Sequence, residues 1–156
     1  MIIEQFKRKQ LFEFLRPDQI DSLSNTAEVI KLKSGQSVYQ KGDKADFLYV
    51  VLSGQVALRL PGMDGVSILI EQLTESGSMF GCCISPSIDS CVLTAQCEQD
   101  TEILKIEKST LEKLLDDDPR MGYAIQSKIA EIYFNRYVET MRKLQAIVLN
   151  IPIESD

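Results

Sequence analysis

Between Glu28 and Ile106 the chain is cut into short apolar runs, and a glycine closes nearly every one. Val29–Lys33 runs into Ser34-Gly35, Ser37–Gln40 into Lys41-Gly42-Asp43, and Phe47–Leu52 into Ser53-Gly54. Gln55–Leu60 is followed by Pro61-Gly62-Met63-Asp64-Gly65 and then by Val66–Ile70. After a loop come Cys91–Cys97 and Thr101–Ile106. Runs this short, spaced this evenly and separated by turn residues leave no room for ordinary helices. They predict a β sandwich or barrel, with Gly35, Gly42, Gly54 and Gly65 at positive φ or close backbone approach.

The flanks change period. From Ile3 to Ala27 two short helices are expected: Leu11, Phe12 and Leu15 share a face, and the helix restarts at Pro17-Asp18, where a first turn tolerates proline. Ser109–Leu115 predicts another short helix, and Asp116-Asp117-Asp118-Pro119 marks the start of a long one reaching Val148. Along it, Ala130, Phe134, Tyr137, Met141, Leu144 and Val148 step by four and three, a heptad seam suited to a second helix. Ile125, Ile129 and Ile132 form a second apolar row able to pack on the β region. A helix with two such rows points to a homodimer, the alternative being a seam packed inside its own domain. The expected organisation is mainly β with flanking helices: one domain over 1–150, with helices at 3–27, strands at 28–106, helices at 109–148, and a tail at 151–156.

Composition narrows the function. A net charge of −6 argues against nucleic acid as a direct partner, which needs clustered cations. The run Lys7-Arg8-Lys9 reads as a solvated helix face. No apolar run approaches a bilayer span and the N-terminus lacks the order of a secretion signal, so a cytoplasmic protein without membrane partner is expected, its four cysteines reduced. Histidine is absent, and no nucleophile-elbow, Walker or Rossmann pattern occurs. No catalytic residue and no cofactor are therefore assigned.

The order of elements, with Leu11-Phe12, Val38–Asp43, Leu48–Val56 and Ser76-Gly77-Ser78-Met79-Phe80-Gly81, resembles the cyclic nucleotide-binding domain family, the sensor module of catabolite-activator-type regulators. The resemblance covers about Leu11 to Val148 and implies a β-roll of the double-stranded jelly-roll type with a C-terminal dimerisation helix. It also implies a phosphate-binding cassette after the Phe-Gly pair. There a helix start offers N–H groups to an anion, an arginine grips the phosphate, and a glutamate accepts from the ribose. The family's transcription factors carry a helix-turn-helix beyond the long helix; the chain ends too soon for one, so a stand-alone sensor is expected.

Against that frame the cassette is altered. From Pro61 to Leu104 there is no lysine or arginine, while all four cysteines, Cys82, Cys83, Cys91 and Cys97, fall inside. The glutamate position holds Cys82, and Ser87–Ala95 contains no cation. Lys128 and Arg136, on the long helix, are the candidates for reaching this window from outside, with nothing in the pattern to place them. The expected ligand-lining set is Phe80, Gly81, Cys82, Cys83, Ile84, Cys91, Val92, Leu93 and Thr94, suited to an apolar or carbonyl-bearing small molecule rather than to cAMP or cGMP in the family's usual mode. Three alternatives stand beside it: a roll filled by its own side chains, an atypical cyclic nucleotide sensor, and a cysteine-based redox or metal-responsive module. The cysteine spacing is not that of paired CxxC hairpins, so no metal site is assigned. A downstream protein partner would receive the signal.

Overall fold

A computed structural model describes residues 15–81 and 87–150. The expected first helix near Leu11 and the tail at 151–156 lie outside the described residues. Within them, helix α1 (Pro17–Thr26) precedes eight strands: β1 (Glu28–Leu32), β2 (Ser37–Tyr39), β3 (Phe47–Ser53), β4 (Val56–Pro61), β5 (Ser67–Leu73), β6 (Met79–Gly81), β7 (Thr94–Cys97) and β8 (Thr101–Glu107). Helices α2 (Lys108–Asp117) and α3 (Pro119–Leu149) follow.

The strands form two four-stranded antiparallel sheets, ordered β1-β8-β3-β6 and β2-β7-β4-β5. This is the expected β-roll, with flanking helices and a long C-terminal helix. The glycine-bounded runs are the strands, and Gly35, Gly42, Gly54 and Gly65 all have positive φ. Two details differ. Met79–Gly81 is a strand although only three residues long, because β3 pairs with it through Leu48↔Gly81, Tyr49↔Phe80 and Val50↔Met79. Conversely, β7 begins only at Thr94. Cys91 instead turns toward the β2–β3 connection, where its N–H donates to the Asp43 carbonyl at 2.8 Å and its carbonyl accepts from the Gly42 N–H at 2.8 Å.

Side chains alternate across a strand, so β3 and β8 feed two cores at once. Leu48, Val50, Leu104 and Ile106 face a helical layer with Ile20 and Leu23 of α1, Leu111 of α2, and Ile125 and Ile129 of α3. Tyr49, Val51 and Ile103 face the roll interior. The row Ile125, Ile129 and Ile132 thus packs on the β region as its spacing predicts, Ile132 partly buried at its edge.

The start of α3 is held from three sides. The Asp118 carboxylate caps it, accepting from the Met121 N–H at 3.2 Å, and also takes the Arg16 guanidinium at 2.7 Å. The Met121 N–H, aided by Arg16, holds the Asp118 carboxyl below the usual carboxylate range. Gly122 is buried where α3 crosses α2, and a Cβ there would stand 2.6 Å from the Leu115 carbonyl oxygen. Helix propensity alone would favour alanine at Gly122 by up to about 1 kcal/mol. A backbone oxygen cannot swing aside, so overpacking wins: Gly122→Ala is expected to lower stability by about 1–3 kcal/mol, read as a fall in the urea midpoint without a change in m.

Candidate functional site

The roll interior is built from aromatic rings. Tyr39 on β2, Tyr49 on β3 and Phe80 on β6 converge with centroid separations of 5.5, 6.1 and 5.3 Å, the Tyr49 and Phe80 rings stacked. Phe80 is fully buried and both tyrosines nearly so. Burial pushes the Tyr39 phenol well above its ordinary titration range, so it stays a neutral hydroxyl. Val51, Val56, Leu58, Leu73, Ala95 and Cys97 complete the apolar shell. Much of the space that the fold encloses between its sheets is therefore taken by the chain's own side chains.

Gly81 closes this cluster. Its φ is +107°, and a Cβ would lie 2.8 Å from the Tyr49 ring and 2.9 Å from the Phe47 carbonyl oxygen. Only glycine lets the end of β6 pass so close to β3. The Gly81 carbonyl accepts from the Tyr133 hydroxyl of α3 at 3.0 Å, tying the end of β6 to the long helix.

Of the expected lining set, Phe80, Cys91 and Leu93 come together on the interior cluster. Thr94 is half-buried at the start of β7, its hydroxyl accepting from the Lys41 N–H at 3.0 Å. Val92 is 66% exposed and is not brought to the interior; with Cys91 turned to pair with Asp43, the next side chain on the loop faces solvent. Cys82, Cys83 and Ile84 lie outside the described residues. Cys91 is half-buried and Cys97 fully buried, both as free thiols. Burial raises both thiols above the ordinary range, reinforced at Cys91 by the Asp43 and Asp46 carboxylates. Such thiols are poor thiolates at neutral pH. Among the described residues no group of three or more Cys, Asp or Glu is placed to hold a metal.

A cation does reach the window, from α3. Arg136 continues the buried row by one helical step beyond Ile132, and its side chain is only 12% exposed. Its Nε donates to a carboxylate oxygen of Glu71 on β5, and a terminal nitrogen donates to the Met79 carbonyl at 2.8 Å. Lys128, the other candidate, pairs instead with Glu131 on its own helix at 3.0 Å. Arginine suits the Arg136 position because its planar fork engages a carboxylate and a carbonyl together. Nothing in the apolar pattern marks Arg136, since a row counted by hydrophobicity stops at Ile132. The signal was positional: the inward face proceeds through 136, 139 and 143 whatever residues stand there.

The site thus has an apolar, ring-filled interior, with a helix fastened across its rim by Tyr133 and Arg136. The sequence profile described as the cyclic nucleotide-binding domain matches residues 29–118. The chain belongs to the cyclic nucleotide-binding domain family. Its fold is that of the sensor domain of the transcriptional regulator DNR from Pseudomonas aeruginosa (TM-score 0.72, 19% identity, covering 98% of this chain and 95% of that one). It is also that of a cyclic nucleotide-binding domain from Methylobacillus flagellatus (TM-score 0.75, 15% identity, 99% and 85% covered). Among curated proteins, the lysophospholipase nte1 of Aspergillus oryzae is 26% identical over 104 residues, which are 67% of this chain and 7% of that protein. The domain thus spans a small fraction of the length of the curated relatives it matches.

Removing either partner of the Arg136–Glu71 pair leaves a charge in a partly buried place. Arg136→Ala and Glu71→Ala are each expected to cost about 1–3 kcal/mol. The double variant should cost clearly less than the sum, giving a coupling energy of about 0.5–3 kcal/mol in a urea-unfolding cycle.

Proposed function

We propose that this domain is a regulatory ligand sensor which does not take cyclic nucleotides in the family's usual way, and which signals as a homodimer through α3. The observation that carries the ligand reading is the absence of any lysine or arginine from Pro61 to Leu104. Arg136, which reaches the window from α3, is already engaged by Glu71 and the Met79 carbonyl, and Arg59, just before the window, is engaged by Glu98. A cyclic phosphate seated near Gly81 would lack a charged partner, at a cost of about 3–5 kcal/mol, unless Arg136 abandoned Glu71. N–H groups at a helix start repay only part of that.

The ring-filled interior favours an uncharged or weakly polar ligand, held by Phe80, Gly81, Cys91, Leu93 and Thr94 together with Cys82, Cys83 and Ile84, and entering only as the rings shift. A regulatory rather than catalytic role accords with the family and with thiols held protonated by burial. The activity of the Aspergillus proteins is not transferred, because the match covers so little of them. No described helix is long and apolar enough to cross a membrane.

The dimer reading rests on α3. Phe134, Tyr137, Met141, Leu144 and Val148 are 38–64% exposed along one stripe with Ala130, and the described residues leave them uncovered. A stripe of this kind at heptad spacing is what a second copy of the helix would bury.

Two outcomes test the two halves. Calorimetric titration with cyclic AMP and cyclic GMP is expected to show no binding tighter than about one micromolar; a submicromolar Kd for either would sink the ligand reading. Light scattering after gel filtration at micromolar concentration should report a dimer, and Tyr137→Glu should convert it to a monomer with an unchanged circular dichroism spectrum. A wild-type monomer would remove α3 as the signalling interface.

A further inference from the structure

Beyond Arg136, α3 runs past the β4–β5 hairpin without closing onto it. The gap is an apolar groove of about 450 Å³, with Leu60, Ile68 and Leu69 on the sheet side and Leu144 and Ile147 on the helix side. At Ile70 and Lys143 it adjoins a second, polar groove of about 460 Å³ that holds Gln72, Asn135 and Arg136. Volumes of this size match small-molecule sites.

Lys143 stands where the apolar and polar parts meet. Its ammonium donates to the Ile70 carbonyl at 2.5 Å. The two carboxylates lining the polar groove have other partners, Glu71 the Arg136 of the same groove and Glu139 the exposed Arg142. Among the described residues, therefore, no carboxylate pairs with Lys143, and it presents positive charge to the groove. The groove also lies off the dimer seam. Of the six seam residues only Leu144 touches it, so a partner helix on the seam meets the groove at that one wall, while Leu60, Ile68 and Leu69 lie away from the seam.

An apolar trough ending at an ammonium that bonds a backbone carbonyl and, among the described residues, no carboxylate is complementary to one kind of small molecule. We propose that the β5–α3 groove binds a single-chain amphiphile with an anionic head, a medium- to long-chain carboxylate. Its chain lies between Ile68, Leu69 and Ile147, and its carboxylate rests on Lys143. The proposal does not depend on what the roll interior binds. Failure of carboxylate binding leaves that reading intact, and cyclic nucleotide binding would leave this one intact.

Calorimetry of the full chain with octanoate, decanoate and dodecanoate, all below micelle formation, tests it. One site per chain is expected, with affinity rising up to about fourfold per added methylene. Lys143→Gln should weaken dodecanoate by about two- to fivefold, and dodecyltrimethylammonium should bind more weakly than dodecanoate. Ile68→Asp and Ile147→Asp, at half-exposed positions, should abolish binding, and so should Ala146→Phe, which fills the groove without adding charge. Met141→Asp, on the seam alone, should not. The proposal is overturned if dodecanoate shows no saturable binding, if the cationic amphiphile binds equally well, or if the groove variants bind normally. Loss confined to Met141→Asp would place the amphiphile at the seam and overturn it too.

Discussion

Burial of β3 and β8 on both faces is the constraint from which the rest of the molecule follows. A strand with one wet face can slip by two residues at modest cost. Here a slip of one would exchange Leu48 and Val50 with Tyr49 and Val51, putting the Tyr49 phenol among the helices and Leu48 among the rings. The pairs Val50↔Leu104 and Val51↔Ile103 therefore set both cores together. Because β6 pairs with β3 in turn, the same register places Phe80 beside Tyr49 and brings Gly81 to the rim where α3 crosses. Roll interior and helical layer are the two sides of one sheet.

The electrostatics of the rim follow from that geometry. A phosphate-binding loop needs its cation on the loop, facing inward. In this chain Arg136 sits on the helix, one turn past the partly buried Ile132, and its counter-charge Glu71 comes from the window itself. The pair is internally neutral and stitches β5 to α3, which makes it a structural contact rather than a free anion receptor. Burial raises the Cys97 and half-buried Cys91 thiols and the Tyr39 phenol, so among the described residues these interior groups favour their neutral forms.

Most of this architecture was legible from residue order. Short apolar runs closed by glycines located the strands, and the Asp118-Pro119 junction located the long helix, because those signals are local and set by backbone sterics. Three things were not legible. Met79–Gly81 is too short for periodicity to register, and it is a strand only because β3 lies beside it. Cys91 to Leu93 carry β-prone side chains, but the backbone at Cys91 is claimed by the 42–45 segment, which turned Val92 outward. Arg136 was a candidate beside Lys128 that the pattern could not place, because hydrophobic counting passes over a guanidinium, even one that is nearly nine-tenths buried. Each miss is a tertiary partner overriding a local pattern.

The long helix is fastened unevenly, and this has a mechanical consequence. Ile125, Ile129, Tyr133 and Arg136 bind its first half, whereas beyond Lys143 it projects with little beneath it. Six residues separate Lys143, tied to the Ile70 carbonyl, from Leu149, an arm of roughly 9 Å. A tilt of about ten degrees with its pivot at Lys143 would carry the far end about 1.5 Å, the size of the helix shifts that repack subunit interfaces. Lys143 would then be the fulcrum of a short lever, through which an adjustment at the β5 edge reaches the exposed end of the helix.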